Sequence, residues 1–306
     1  MRFREAIALN KITMMCEKDM TKYKALILEV FKNFISFCED NRLNYFCCGG
    51  TAIGAVRHAG MIPWDDDIDV LMPRPDYDRF LELFPTAGYK GCELVFAERV
   101  PSYYLPFAKL VDTHSSVVEY PDIPCVLGAF IDIFPLDGTS SNKGKQVELI
   151  KQFRQAANKL LVIPKYPINN FKAGLKRMCK GQLRTALNEF MYSVGKNRAR
   201  KRVLKQLSYL MSSYAYKYAP YVANYGGMWG IREIGKHEWF DGYCKMEFEG
   251  FSVRLPKDYH AYLTHVYGNY MVPPSLENRA SHHHFAYVNL HERIDIRAIS
   301  FGGGDE

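Results

Sequence analysis

The chain has 306 residues, of which 48% are hydrophobic and 24% are charged, and its formal net charge is +7. This composition is typical of a globular protein with one large or two modest domains. No run of 18 apolar residues occurs, so no membrane-spanning helix is predicted, and the charge-interrupted N-terminus is unlike a signal peptide. Eight cysteines without a CxxC pair argue against a zinc site or disulfide framework, so we expect a reducing, cytoplasmic location.

The first predicted elements alternate between helix and strand. A helix is predicted from Thr21 to Asp40, because apolar residues recur there at helical spacing. A short buried strand at 45–48 ends at Gly49-Gly50, and a short helix continues through Arg57. A second strand is predicted at 67–72, where the following prolines end it.

The later elements indicate a mixed core of short strands, which places the chain in the α/β (α+β) class. They are, in chain order, a helix at 76–84, strands at 107–112, 116–120 and 129–134, a helical region at 145–225 that is first basic and then rich in tyrosine, a hairpin at 245–256, and a helix at 258–267 that Gly268 ends.

The segment WDDDIDV, residues 64–70, places four carboxylates beside apolar residues. Side chains at i and i+2 share one face of a strand, so Asp67 and Asp69 are expected to point the same way. Asp65 joins them if the chain is already extended there. Neighbouring carboxylates repel each other unless a cation neutralises them, and hard oxygen ligands suit Mg²⁺.

A third carboxylate, Asp132, lies between Ile131 and Ile133 on a predicted strand and joins the pair if the two strands are neighbours. The alternative is a solvated acidic loop, against which the strict apolar alternation argues. A calcium-binding loop does not fit, because its sixth position is Val70 instead of glycine and its twelfth is Asp76 instead of glutamate.

The pair Gly49-Gly50 lies between a strand and a helix. Glycine allows a phosphate to approach the backbone closely, and a helix N-terminus offers unpaired N–H groups. Most such pairs only mark turns, but this one precedes a strand with paired carboxylates. The combination predicts a phosphate site beside a metal site.

The stretch GGTAIGAVRHAGMIPWDDDIDVLMPRPDYDRF, residues 49–80, resembles the LicD family of phosphocholine transferases, which also includes the fukutin-type phosphoalditol transferases. FAKLVDTHSSV, FIDIFPLDG and YLTHVYGNYMVPP resemble later stretches of that family. The resemblance covers roughly residues 20–140 and 240–285. It implies a nucleotidyltransferase-like catalytic core at 1–145, a basic helical segment at 146–225 and a C-terminal part at 226–306 that completes the domain.

The resemblance also implies the chemistry. The family transfers an alcohol phosphate, such as phosphocholine, from a CDP-linked donor to a hydroxyl of a lipopolysaccharide, teichoic acid or other cell-surface glycan precursor, and CMP leaves. Mg²⁺ or Mn²⁺ is the expected cofactor, and Asp132 is the candidate general base. The metal ligands implied are Asp65, Asp67, Asp69 and Asp132, and the phosphate-binding residues are Gly49, Gly50 and Thr51.

Further candidates lie outside these motifs. Arg57 and Lys109 suit contacts to a diphosphate, with a structural ion pair as the alternative for each. Arg279 and His282 match the family's C-terminal pattern as substrate-binding residues, and the run HHHF contains the second of them. A choline ammonium could lie against a tryptophan by cation–π attraction, although core packing is the commoner role of such residues.

The positive charge is concentrated in residues 151–205. These contain fifteen Lys and Arg and one acid, Glu189, so this segment carries +14 and the remainder of the chain −7. A solvated helical face is the simplest explanation. The functional alternative is attraction to anionic lipid or to an acceptor polymer at the inner face of the cell membrane. No nucleic-acid partner is expected, because the rest of the chain is acidic and lacks a base-stacking motif.

Two other functions share these residues. A true nucleotidyltransferase would use the same carboxylates but transfer the nucleotide and release pyrophosphate. A membrane-associated scaffold would keep the fold without catalysis, which the intact carboxylates Asp67, Asp69 and Asp132 argue against.

Overall fold

The computed structural model describes residues 15–89, 91–165, 183–275, 277, 279 and 285–299, without the side chains of 165 and 183–194. The helices are α1 Glu17–Asp40, α2 Gly49–His58, α3 Arg74–Leu83, α4 Lys143–Val162, α5 Leu183–Met211 and α6 Tyr259–Tyr267. The strands are β1 Phe46–Cys47, β2 Asp69–Pro73, β3 Cys92–Val95, β4 Ala108–Asp112, β5 Ser116–Val118, β6 Phe130–Thr139, β7 Tyr221–Ala223, β8 Ile234–Lys236, β9 Tyr243–Phe248, β10 Phe251–Pro256 and β11 Tyr287–Asn289.

A seven-stranded sheet with the order β1-β2-β6-β4-β3 organises the chain, and β7 and β8 extend it from the far end of β6. Strands β2 and β6 run parallel, and their register places Asp69 opposite Asp132. Strand β4 runs antiparallel to β6 and places Lys109 opposite Asp132. The middle of the sheet therefore brings two carboxylates and one ammonium group together from three strands.

Helix α1 covers one face of this sheet with an apolar stripe. Ile27, Phe31, Phe34 and Cys38 are all fully buried, as the helical spacing predicts. The Phe34 ring packs edge-on against Tyr45 with 5.3 Å between ring centroids. Each such side chain contributes about 1.5–3 kcal/mol by leaving water, so α1 fixes the sheet behind the carboxylates.

The predicted α/β class is confirmed, and the predicted helices on either side of the 145–225 region and the hairpin are present. Within that region α4 and α5 are helical, and residues 166–182 lie outside the described residues. Strand β2 begins at Asp69, two residues later than expected, so Asp67 precedes the strand. Strand β6 continues to Thr139, and β7 lies inside the region expected to be helical. The short strands β3, β7, β8 and β11 were not predicted, because strands of three or four residues are too short to show a clear period.

The segments 1–145, 146–225 and 226–306 contribute described residues to one hydrophobic core. Phe153 of α4, Tyr225 and Leu255 of β10 belong to the same buried cluster as the N-terminal residues. Within the described residues no helix is long and apolar enough to span a membrane. The cysteines of the described ranges are free thiols.

Candidate active site

The acidic segment before β2 brings three carboxylates together. Oxygen atoms of Asp65, Asp66 and Asp67 lie within 4.8 Å of one another, and no other such group of three occurs in the described part of the chain. Ile68 is fully buried, as the alternating pattern predicts. Asp66 was not among the predicted ligands and is almost fully buried. Burial alternates along residues 65–70, so Asp66 lies on the buried face with Ile68, and the partly buried Asp65, Asp67 and Asp69 lie on the other.

The glycine pair lies directly against these carboxylates. An ideal Cβ on Gly50 would lie 2.0 Å from Oδ2 of Asp65. Gly49 has φ +58°, and its Cβ would lie 2.8 Å from Oδ2 of Asp69. Both positions therefore exclude a side chain so that two carboxylates can approach the first turn of α2. This close approach is a reason for the glycines that the sequence analysis did not anticipate, and their predicted role in phosphate binding stays a prediction.

Thr51 connects the same turn to the strand. Its Oγ1 accepts a hydrogen bond of 2.8 Å from the backbone N–H of Asp69, and the backbone N–H of Cys48 donates to the carbonyl of Asp69 at 3.1 Å. These two bonds fix the start of β2 against α2. The described contact of Thr51 is thus structural, and its predicted contact with phosphate is untested.

Repulsion among the carboxylates governs the electrostatics of the site. Burial, followed by the charges of Asp67, Asp132 and Asp65, raises the pKa of Asp69 well above its ordinary value, and Lys109 opposes this shift. Burial and then Asp67 raise the pKa of Asp65. The fold holds these groups closer together than their full ionisation favours, so protonation or a bound cation stabilises the arrangement.

Lys109 is buried beside Asp132. Its Nζ lies 2.6 Å from Oδ1 of Asp132 and 3.9 Å from Oε2 of Glu119. The same ammonium lies 3.4 Å from the centroid of the Phe130 ring. Of the two interpretations that the sequence left open, the structure therefore shows the ion pair for Lys109.

Two tyrosines close to Glu119, the second carboxylate beside Lys109, were missed. Tyr23 of α1 is buried, and burial followed by Asp66, Glu119, Asp132 and Asp67 raises the pKa of its phenol. The hydroxyl of Tyr104 donates a hydrogen bond to Glu119. Neither tyrosine belongs to a motif that could have indicated its role. Tyr23, for example, occupies an ordinary core position of an amphipathic helix.

Two arginines lie around Trp64, next to the acidic segment. The guanidinium carbons of Arg57 and Arg279 lie 5.9 Å and 4.5 Å from the indole centroid. Nη1 of Arg57 donates to the carbonyl of Tyr270 at 2.9 Å. Burial and then Arg279 lower the pKa of Arg57, so the two cations are close enough to repel each other. His282 and the other two histidines of the HHHF run lie outside the described residues.

A carboxylate from the C-terminal part of the chain fixes the loop between α2 and the acidic segment. Oε1 of Glu249, at the turn between β9 and β10, accepts a 2.9 Å hydrogen bond from the backbone N–H of Met61. The backbone N–H of Glu249 donates to the carbonyl of Ala59 at 2.9 Å. A Cβ on Gly60 would lie 2.4 Å from the same Oε1. We call this contact the Glu249 clamp.

The basic segment is only partly a charged surface. Arg200 is buried, and its Nη2 donates to the carbonyls of Ala97 at 2.7 Å and Val100 at 3.1 Å. Neither a solvated helical face nor a surface contact accounts for Arg200, which instead ties α5 to the segment after β3. Among the residues of α5 whose side chains are described, 195–211, the exposed cations are Arg198, Lys201, Arg202 and Lys205.

Known proteins match the part of the chain that holds this site. The model of the LicD/FKTN/FKRP nucleotidyltransferase domain matches residues 42–169, which contain the glycine pair and all the carboxylates described above except Glu249. The lipopolysaccharide cholinephosphotransferase LicD of Haemophilus influenzae is 28% identical over 276 residues, covering 86% of this chain and 96% of the relative. An uncharacterised protein of Rickettsia typhi is 36% identical over 67 residues, 22% of each chain.

Proposed function

The chain belongs to the LicD family, with a nucleotidyltransferase-like α+β fold, and from this premise we propose that it is a transferase for phosphocholine or a related alcohol phosphate. The donor is a CDP-linked alcohol, the acceptor is a hydroxyl of a lipopolysaccharide or other cell-surface glycan precursor, and CMP leaves. The observation that carries the proposal is the carboxylate cluster held against the first turn of α2. It occurs in a chain that matches a lipopolysaccharide cholinephosphotransferase over most of both lengths.

The donor atoms fit a hard divalent cation. Asp65, Asp67, Asp69 and Asp132 offer carboxylate oxygens only, which suits Mg²⁺ or Mn²⁺. The raised pKa of Asp69 indicates a repulsion that such an ion relieves. When bound, the ion neutralises the diphosphate and the charge that develops on the leaving CMP.

Arg57 and Arg279 are the proposed diphosphate contacts. Their guanidinium groups both lie near the Trp64 ring, next to the acidic segment, and repel each other. An anion between them removes that repulsion and accepts charge-assisted hydrogen bonds. They therefore orient the donor so that its phosphorus faces the carboxylates.

Asp132 is the proposed base for the acceptor hydroxyl. A carboxylate in an ion pair is ionised, which is the form that accepts a proton. Lys109, bonded to Oδ1 of Asp132, is a positioning residue in this proposal, because it is buried and fixes the carboxylate from β4.

The exposed cations of α5 are proposed to attract the protein to an anionic surface that carries the acceptor. Four of them occupy eight residues of one helix. Each basic residue near an anionic membrane contributes about 1 kcal/mol. This contact lies away from the carboxylates in the chain and is separate from catalysis.

Product analysis tests the proposed reaction. The protein is incubated with Mg²⁺, a glycan acceptor and a panel of CDP-alcohols, and CMP is measured. We expect CMP release with one class of CDP-alcohol, loss of release in Asp69→Asn and with a chelator, and normal release in Glu148→Gln, which removes an exposed carboxylate of α4. A nucleotidylated acceptor with pyrophosphate released from a nucleoside triphosphate would instead establish a nucleotidyltransferase.

A further inference from the structure

A short loop between β7 and β8 exposes three large apolar side chains within four residues. Met228, Trp229 and Ile231 are 65%, 45% and 46% exposed. Single exposed apolar residues are ordinary, but a contiguous group on a tight loop is typical of a binding surface. We call residues 226–233 the apolar loop.

The backbone of the apolar loop is fixed from both sides. Nη2 of Arg154, on α4, donates to the carbonyl of Met228 at 3.2 Å. The N–H of Trp229 donates to Oε1 of the buried Glu233 at 3.1 Å. Gly227 leaves room for that carboxylate, since a Cβ there would lie 2.2 Å from its carboxyl carbon. The apolar side chains are thus presented by an ordered backbone, although burying them within the chain would be favourable.

Two arginines lie at the apolar loop. The guanidinium carbon of Arg232 lies 4.4 Å from the centroid of the Trp229 ring, and Arg154 lies beneath the loop. Helix α4, which carries Arg154, packs against the basic helix α5. Apolar side chains, a tryptophan and arginines together match the acyl boundary and the phosphate layer of an anionic bilayer.

We propose that the apolar loop inserts Met228, Trp229 and Ile231 into the interfacial layer of an anionic lipid bilayer. The loop is joined to the candidate active site through Tyr267, whose ring centroid lies 5.5 Å from that of Trp229. Burial, followed by the charges of Glu233, Cys48 and Asp69, raises the pKa of Tyr267, so its phenol is close to the site. Insertion of Trp229 therefore also brings Tyr267 towards the membrane surface. The proposal does not depend on the transfer reaction, because binding is measurable without donor or acceptor.

Vesicle binding tests this insertion. Wild-type protein is mixed with vesicles of phosphatidylglycerol and phosphatidylcholine, and the bound fraction is measured by sedimentation at 0.1 M and 1 M salt. The test variant is Met228→Ser/Trp229→Ser/Ile231→Ser. The control, Val147→Ser/Tyr218→Ser/Tyr243→Ser, removes three exposed apolar side chains elsewhere. We expect the test variant to lose at least about tenfold in partition coefficient and the control to match wild type. High salt weakens the electrostatic part, so the binding left at 1 M salt should be the part that the loop supplies.

A second measurement covers the case in which the triple variant folds poorly. Vesicles should shift the tryptophan emission of the wild type to shorter wavelength, and Trp229→Phe should remove that shift. Equal vesicle binding by the wild type and a folded triple variant would overturn the proposal, as would an unchanged emission shift in Trp229→Phe. A dimer in solution that the triple variant dissociates would also overturn it, because the loop would then be a subunit interface.

Discussion

Replacing Gly50 with alanine should disable the candidate site while keeping the fold. The new Cβ would lie 2.0 Å from Oδ2 and 3.1 Å from Cγ of Asp65. Because non-bonded contacts of a Cβ below 3.0 Å essentially do not occur, the Asp65 carboxylate must move by about 1 Å. A displacement of that size in a reacting constellation costs about 10²-fold in rate.

The fold itself should tolerate this change. Gly50 lies in the first turn of α2, where alanine is a better helix former than glycine by about 0.5–1 kcal/mol. We therefore expect the melting temperature without metal to be unchanged or higher, and its rise on addition of Mg²⁺ to be smaller than in wild type. Gly195→Ala is the matched control, because a Cβ there meets no atom within 4 Å. Wild-type CMP release by a folded Gly50→Ala protein would refute the reasoning.

Four further predictions concern individual charges. Asp69→Asn should abolish transfer. Without Mg²⁺ it should also be more stable than wild type at pH 7, because the raised pKa of Asp69 means that the fold disfavours the ionised carboxylate. A lower melting temperature than wild type in the presence of a chelator would contradict this. Asp132→Ala should lower the free energy of unfolding by up to about 3 kcal/mol in urea titrations, since the buried Lys109 keeps only the more distant Glu119, at 3.9 Å, as a charged partner. An unchanged midpoint would show that the Lys109–Asp132 ion pair does not stabilise the fold. Burial raises the pKa of Glu233 from 4.5 to about 7, so the free energy of unfolding of the wild type should fall as pH rises through that window. Glu233→Gln should therefore be more stable than wild type by up to about 3 kcal/mol above pH 7. Parallel pH profiles of the two proteins would argue against this. Glutamine at four exposed cations of α5 should reduce binding to anionic vesicles at 0.1 M salt and leave turnover of a soluble acceptor unchanged. These cations are Arg198, Lys201, Arg202 and Lys205. A loss of that turnover would place them in substrate binding.

The faces that Asp69 and Asp132 occupy followed from local pattern, whereas their convergence depended on their strands being neighbours. Each carboxylate lies between fully buried apolar residues of a strand, and alternation fixes the face that it occupies. The parallel register of β2 and β6 then sets the two opposite each other. The fold class and the main helices were predictable for the same reason, because period and chain breakers are properties of neighbouring residues.

Residues that act through distant packing were not predictable. Tyr23 reaches the acidic site across the α1–sheet interface, and the partner of Lys109 depends on which strand lies beside β4. The burial of Arg200 depends on the packing of α5 against the segment after β3. Strand β7 is held by its pairing with the far end of β6, so three residues become a strand without any period of their own.

The Glu249 clamp has a consequence for biosynthesis. The loop that leads to the carboxylates is bonded to a residue 188 positions later than Met61, and N-terminal segments leave the ribosome first at about 5–20 residues per second. Before the β9–β10 hairpin is synthesised, the glycine pair and the acidic segment are both present. The backbone that joins them then lacks its two hydrogen bonds to Glu249, which involve Met61 and Ala59. A nascent chain can thus collapse around its sheet early, yet it acquires the fixed geometry of the acidic cluster only when the β9–β10 turn docks. Premature release before that turn would give a protein with the motif of the family and a misaligned site.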